Sequence, residues 1–444
     1  MLRTVLIVAL GGFLFGFDAS VIAGVITFVE NEFLLSKFEM GWAVASLTLT
    51  ATLSIMVAGP LADRFGRRLL LRAAAVVFTV SALMSASASD FTLLIVARLL
   101  SGLGVGAALV VAPMYIAEIS PAAVRGRMVS INQLHVVLGI SAAFFSNYLI
   151  LKLGDSAGWT WRWMLGIGAV PSVVFFLLLF SVPESPRWLA MHGRLDVARL
   201  VLSRAHGASL AEAELAEVRA SLAHEEGRAE VSPRELLAPE LRRVMIIGLG
   251  VGILQQITGI NAVFFYAPVI FEEAGASADA AFAQAVYVGL VNLAFTVVAM
   301  MLIDRLGRRP LLMLGTGGIA LSMGLLAWGF RGDAMEPALV LVGVLAFVAS
   351  FAVSLGPIMW VLLSEIFPNR VRGVAISFVG LTNSVVSFGV QLLFPWELNN
   401  LGSSRPWLIY GVFAVLGLLF MARMVPETRG RSLEELEQSL VRRP

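Results

Sequence analysis

Twelve apolar runs, most of twenty residues or more, recur along this chain, at about 4–29, 40–62, 69–88, 91–116, 127–151, 162–182, 243–271, 281–303, 310–330, 337–363, 373–396 and 406–425. A helix needs about 20 such residues to cross hydrocarbon. Inside a bilayer the backbone must satisfy its own N–H and C=O groups, and runs of this length do so as helices. Charged residues make up 14% of the chain, against roughly 25% in a soluble domain. The predicted fold class is therefore an all-α membrane protein with twelve transmembrane helices.

Charge in the loops predicts orientation. Asp63-Arg64-Phe65-Gly66-Arg67-Arg68 joins runs 2 and 3, and Asp304-Arg305-Leu306-Gly307-Arg308-Arg309 joins runs 8 and 9. The loops after runs 1 and 7 are acid-leaning, with Glu30, Glu32 and Glu39 in one and Glu272, Glu273 and Asp279 in the other. Arginine loops stay on the cytoplasmic side, and an even number of spans then puts both termini there. The first run is too long for the apolar core of a cleaved signal and leads straight into the second. A multi-pass protein of the inner (plasma) membrane is the expectation. The net charge of +2 sits in loops that alternate with spans, so no nucleic-acid partner is predicted. With no cysteine, thiol chemistry is excluded.

The seventh run breaks the apolar pattern most. From Gly252 to Pro268 it carries Gln255, Gln256, Asn261 and Tyr266. Polar side chains in a span are expensive unless they face protein or water. These form a wall of donors and acceptors without formal charge, suited to a neutral, hydroxyl-rich molecule such as a sugar. Amides also join helices in lipid, and that bland role is the alternative. Elsewhere, Gln133 in run 5, Asn292 in run 8, Gly356-Pro357 and Trp360 in run 10, and Thr382-Asn383-Ser384 in run 11 add polar or aromatic groups. The glycine and proline of run 10 predict a bend there. His135 in run 5 is read as a histidine satisfied by a neighbour.

Asp18 is a carboxyl within the first run, and such a group is a functional candidate that needs a partner or a proton. Arg98 in run 4 is the predicted partner. Asp18 lies roughly 16 Å from the outer end of its run, and Arg98 roughly 10 Å from the outer end of its own. Beside an arginine a carboxylate keeps its charge, and parted from it in a dry site it takes up a proton. A cycle that makes and breaks the pair would carry protons; a permanent structural bridge is the alternative. Gly12 and Gly16 form a small-residue face for close helix approach.

The chain also repeats itself. Glu118 with Arg125-Gly126 recurs as Glu365 with Arg372-Gly373 at an offset of 247; Asp63-Arg64-x-Gly-Arg-Arg recurs from Asp304 at 241; and Pro183-Glu184 recurs as Pro426-Glu427 at 243. Three matches in one order indicate internal duplication. Parallel six-span repeats with a midplane site between them are a transporter architecture. The predicted domains are 1–183 and 241–425, two pseudo-symmetric six-helix bundles. A cytoplasmic linker, 184–240, reads as short amphipathic helices, and a charged, solvated cytoplasmic tail, 426–444, follows the second bundle.

On these motifs the chain resembles the sugar porter family of the major facilitator superfamily over essentially its whole length. The resemblance is carried by Gly59 to Arg68, Pro183 to Trp188, Gln255-Gln256 with Asn261 and Tyr266, Trp360 to Gly373, and Pro426 to Gly430. Its motifs are most similar to those of bacterial proton-coupled xylose and hexose symporters. The resemblance implies sugar contacts at Gln255, Gln256, Asn261, Tyr266, Asn292, Gly356, Trp360 and Asn383, with Phe15 as an apolar lid. It implies that Asp18 and Arg98 couple the proton, since passive relatives tend to carry an amide at the first position. It further implies a cytoplasmic ion-pair gate of Asp63, Arg64, Glu118, Arg125 and Glu184 in one half, with Asp304, Arg305, Glu365, Arg372 and Glu427 in the other. Two positions depart from the xylose symporters: Ile140 stands after Gly139 where they carry glutamine, and Phe265 replaces the first of a tyrosine pair. The class of sugar is implied rather than its identity.

The expected activity is sugar/proton symport by alternating access, with a small neutral sugar, a proton and the lipid bilayer as partners and a monomer as the working form. A passive facilitator of the same fold is the main rival. A non-transporting sensor usually needs a longer tail, and an amide-lined site suits bulky cationic drugs poorly. No nucleotide loop, metal cluster, cofactor motif or nucleophile elbow points to an enzyme.

Overall fold

The computed structural model describes residues 1–154, 157–226, 232–331, 336–431 and 433–440, so 227–231 of the expected linker and 432 and 441–444 of the expected tail lie outside the described residues. Among the described residues all regular structure is helical. Twelve helices are long and apolar enough to cross a membrane, one for each predicted run. They are span 1 (Leu2–Gly24), span 2 (Lys37–Phe65), span 3 (Arg67–Ala86), span 4 (Phe91–Ile119), span 5 (Arg125–Leu153) and span 6 (Gly158–Ser181). The second set is span 7 (Pro239–Glu273), span 8 (Ala278–Leu306), span 9 (Arg308–Gly329), span 10 (Pro337–Ile366), span 11 (Arg372–Leu401) and span 12 (Arg405–Met424). Several run to 29 or 30 residues, about 43 Å of helix, and so outreach the roughly 30 Å hydrocarbon core.

The chain divides into two compact units. Unit 1 holds Met1–Val25, Ser46–Ser146 and Leu153–Ala229; unit 2 holds Ile26–Ala45, Asn147–Lys152 and Glu230–Pro444. Unit 2 therefore takes in the short helix after span 1, Ile26–Phe33, and short stretches of spans 2 and 5. Within it Trp42 meets Phe388 edge-on, and Lys152 pairs with Asp279 at 2.6 Å.

Glycines set how closely the helices of unit 1 approach. A Cβ on Gly16 would meet the Val136 carbonyl oxygen at 2.0 Å, and one on Gly139 would meet that of Phe13 at 2.1 Å. Span 5 is thus the helix that the small face of span 1 admits. Gly102 and Gly106 of span 4 let the backbone of span 2 approach in the same way, at Leu47 and Ala51. Asp90 caps span 4 by accepting the Leu93 N–H at 2.9 Å, a bond that holds its carboxyl below the usual carboxylate range.

The linker forms helices Pro186–Met191, Leu195–His206 and Ala208–Glu226. Its Leu189, Ala198, Val201, Leu202, Ala211 and Leu215 join the same hydrophobic cluster as Ile116 and Ile119 of span 4. These side chains pack with span 4 inside unit 1. The tail is not simply solvated. Leu433–Leu440 is a helix, and it buries Leu436 and Leu440 against the last part of span 10.

Span 6 is split in unit 1, between Gly166 and Ala169, and two spans are interrupted in unit 2. Span 7 stops at Ile257, turns through Gly259 at φ +88°, and restarts at Ile260. Span 10 ends its first helix at Ala352 and restarts at Leu355 after Ser354, whose φ is −130° and ψ −96°. The sequence placed that bend at Gly356-Pro357. It lies a turn earlier because a proline ring collides with the carbonyl four residues before it, here that of Val353. Ser354 donates its hydroxyl to the Ser350 carbonyl at 2.6 Å and satisfies one group freed by the break.

Candidate functional site

The two breaks bring the polar residues of unit 2 together. Gln255 ends the first part of span 7 and donates its amide to the carbonyls of Leu355 (3.0 Å) and Gly356 (3.3 Å), just after the break in span 10. Its own carbonyl accepts from Asn383 at 2.8 Å and from Gln256 at 3.3 Å. Gln256 also donates to Asn383 Oδ1 (3.2 Å), and Asn383 donates to the Gly252 carbonyl (2.8 Å). Past Gly259, Asn261 donates to Gln256 Oε1 and to Ser387 Oγ, both at 2.6 Å, and Ser387 accepts again from Gln391 at 2.8 Å.

Each of these four amides, Gln255, Gln256, Asn261 and Asn383, thus has two protein acceptors for its two N–H groups. The groups left over are acceptors, such as Asn261 Oδ1, together with the Ser387 hydroxyl proton. A ligand fitting this wall must therefore bring hydroxyl donors. Gln255 and Asn383 are buried behind the wall, while Gln256 and Asn261 are partly exposed.

Other predicted residues fall differently. Tyr266 is fully buried and donates its hydroxyl to the Gln391 carbonyl at 2.9 Å, so it braces the wall from behind. Asn292 is buried on span 8 and makes no hydrogen bond among the described residues. Gly356 contributes its carbonyl, as above. Trp360 is 46% exposed on span 10, with its ring tip against Gly380 of span 11. In unit 1, Phe15 is half-buried against the core and Gln133 is exposed. His135 hydrogen-bonds the Ile131 carbonyl of its own helix at 2.9 Å.

Ser387 and Gln391 are missing from the sequence reading. Their signal was there: Asn383, Ser387 and Gln391 are spaced four apart and share one helix face.

Tyr410 of span 12 holds the span 7 break in place. A Cβ on Gly259 would lie 2.6 Å from its ring, and its hydroxyl donates to Glu397 at 2.7 Å. Gly259→Ala is expected to cost about 2 kcal/mol, from a left-handed alanine and the ring contact. It should also loosen any ligand held at this wall, because Asn261 sits two residues past the turn. A thermal melt and a ligand titration check this, and an unchanged melt with unchanged affinity contradicts it.

In unit 1 the predicted pair meets. Arg98 Nη1 lies 3.7 Å from Asp18 Oδ2 and donates to the Asp18 carbonyl at 3.2 Å. Ser101, unremarked in the sequence, donates its hydroxyl to the same Oδ2 at 2.5 Å. Arg98 and Ser101 are three apart and share a face. Arg98 is 2% exposed and its Nε has no partner among the described residues, whereas the Asp18 side chain is 18% exposed. A buried cation is thus answered by one loosely held carboxylate.

The charges beside the arginine loops form one cluster per unit, each centred on an arginine other than the one predicted. Arg67, not Arg64, reaches Glu118 through Nε (3.0 Å) and Nη2 (2.8 Å), and Asp63 at 2.8 Å. Glu184 accepts the backbone N–H groups of Arg67 and Arg68. In unit 2, Arg308 rather than Arg305 reaches Glu365 (2.8 Å) and Asp304 (3.2 Å), and Glu427 accepts the N–H groups of Arg308 and Arg309. Arg64 instead overlies Phe65, Arg125 is exposed without an ion pair among the described residues, and Arg372 donates to the Phe367 carbonyl. The reason is local: Gly66 and Gly307 turn at φ +96° and +93°, which aims the next arginine inward.

Comparison with known proteins agrees with this architecture. The family model described as "Sugar (and other) transporter" matches residues 4–440. The chain is 38% identical to the arabinose-proton symporter of Bacillus subtilis over 432 residues, 97% of this chain and 92% of that protein. It is 38% identical to the D-xylose-proton symporter of Escherichia coli over 469 residues, 97% and 94% of the two chains. It superimposes on the inward open conformation of the xylose transporter XylE from E. coli with a TM-score of 0.87 at 35% identity, covering 98% and 99%. With twelve spans in a duplicated order, interrupted spans 7 and 10 and a match over nearly every residue, the chain belongs to the sugar porter family of the major facilitator superfamily.

Proposed function

We propose that this protein is a sugar/proton symporter of the inner membrane, with both termini and the arginine loops in the cytoplasm. Its cargo is a neutral monosaccharide, a pentose or hexose. The observation that carries the reading is Asp18: a partly exposed carboxyl inside a span, against a buried arginine with no other counter-charge among the described residues. Asp18 takes the proton, while Arg98 and Ser101 hold the charged form until it arrives. Gln256, Asn261 and Ser387 receive the sugar's hydroxyls, with Gln255, Asn383 and Tyr266 fixing them from behind. Trp360 and Asn292 complete the sugar contacts within unit 2. In alternating access the loaded site is exposed first to one side and then to the other.

The charge clusters set the preference between those states. Single exposed pairs contribute only about 0–1 kcal/mol, but a network can bias two conformations by an amount that a ligand reverses.

Uptake into proteoliposomes, offered a panel of pentoses, hexoses and inositols with and without an imposed pH difference, tests this reading. Accumulation of one sugar above its outside concentration, only when the outside is acidic, is the expected result. Uptake that ignores the pH difference would make the protein a passive facilitator instead.

A further inference from the structure

Span 3 carries Arg68 and Arg72 one turn apart, and both reach to the end of span 6 within unit 1. Arg68 donates from Nε to the Leu179 carbonyl (3.1 Å) and from Nη2 to the Phe180 carbonyl (2.9 Å). Arg72 donates from Nη2 to the same Leu179 carbonyl (3.3 Å), and its guanidinium lies 4.0 Å over the Phe180 ring. Among the described residues neither forms an ion pair with a carboxylate. Glu184, the acid on the adjoining segment, accepts the backbone N–H groups of Arg67, Arg68 and Ser185. Two like charges at this spacing on a helix repel each other. Each guanidinium also keeps its Nη1 without a protein acceptor among the described residues.

What surrounds the pair is the outside of the protein at membrane depth. Leu69, Val76 and Leu83 of span 3, with Val173, Leu177 and Phe180 of span 6, are all exposed large apolar side chains. Arg72 lies about 7 Å along the span from Arg67, where a long cationic side chain meets lipid headgroups.

The internal duplication supplies a control. Arg68 has a counterpart at the same offset of 241, Arg309, which donates to the Ala422 carbonyl at 2.6 Å. Arg72 has none, for Met313 stands there. The fold builds this corner in unit 2 with a methionine, so Arg72 is not required by the packing of the repeat.

We infer that Arg68, Arg72 and Phe180 form a binding site for the phosphate of an anionic phospholipid. The two Nη1 groups take the phosphate oxygens, and the acyl chains lie along the exposed faces of spans 3 and 6. This goes beyond the transport reading, since it concerns a lipid ligand and its fate does not depend on which sugar is carried.

The test is retention of phosphatidylglycerol against phosphatidylcholine by the purified full-length protein, read by native mass spectrometry. Wild type is expected to retain phosphatidylglycerol about tenfold more tightly. Arg72→Met, which installs the residue of the other half, should lose about fivefold of that preference and leave sugar binding unchanged. Phe180→Leu keeps both charges and should lose about twofold, so a poorly folded arginine variant would not leave the question open. Retention unchanged in both variants overturns the site. Equal retention of the two lipids overturns its preference for an anion. Displacement of the lipid by inorganic phosphate at equal concentration would make it a free-anion site and overturn the lipid assignment.

Discussion

Asp18→Asn is expected to abolish accumulation of sugar against a gradient while leaving exchange of sugar across the membrane in place. The substitution is nearly isosteric. Its amide carbonyl still accepts from Ser101, and the backbone carbonyl of residue 18 still accepts from Arg98. What disappears is the one group in the pair that takes up and releases a proton. One pH unit is worth 1.36 kcal/mol, so a transporter carrying one proton per sugar can hold about a tenfold concentration ratio across it. The wild type should approach that ratio in proteoliposomes, and Asp18→Asn should stop near unity while still exchanging labelled for unlabelled sugar.

Arg98 complicates the experiment in a useful way. Buried with no carboxylate, it is the kind of uncompensated charge whose exposure by mutation destabilises strongly, so some loss of folded protein is expected too. Asp18→Glu separates the effects, because it restores a titratable group at a shifted position and should recover part of the accumulation. Accumulation by Asp18→Asn at the wild-type ratio would show that the proton enters elsewhere.

The parts of this molecule that could be read in advance are those where one property dominates. Length and apolarity suffice for a span, which is why all twelve are found within a few residues of the predicted positions at most ends. Proline chemistry foretold the interruption of span 10 but not its register, since the ring acts on a carbonyl a turn away. Asp18 and Arg98 were pairable because depth along a helix follows from counting residues.

What stayed hidden depends on rotation rather than position. In Asp63-Arg64-Phe65-Gly66-Arg67-Arg68 three arginines are equivalent on paper. The turn at Gly66 decides that Arg67 points in while Arg64 points out, and the phase after such a turn is set by packing. Ser101, Ser387 and Gln391 were passed over for another reason. Small hydroxyls and a lone amide are common in spans, so the shared face of Asn383, Ser387 and Gln391 was a weak signal until the partners across the gap, such as Asn261, were known.

Replacing Arg67 by alanine is expected to have the larger of two structural effects that the duplication lets us compare. Arg67 is 2% exposed and Glu118 10%, whereas Arg308 is 13% and Glu365 20%. The other bonds are matched in the two halves: Arg67 donates to the Ala62 carbonyl (3.0 Å) and Arg308 to that of Ile303 (3.1 Å), while Glu118 accepts the Ser185 hydroxyl and Glu365 that of Thr428, so burial is what separates the two. Removing one partner of a buried pair leaves the other charge without compensation, a loss of about 3–5 kcal/mol. For Arg67→Ala that corresponds to a fall in melting temperature on the order of 10 °C, and Arg308→Ala should fall by less because its acids are closer to water. Joint replacement of Arg67 and Glu118 by leucine should recover most of the loss, since apolar residues of similar volume often match a buried ion pair. A melt of Arg67→Ala no lower than that of Arg308→Ala would contradict the burial argument. A leucine pair as unstable as the single variant would mean that Glu118 has a second obligation, to the span 3 turn and the linker. In that case Ser185→Ala should reproduce the same defect, because Ser185 joins Glu118 to the first linker helix, Pro186–Met191.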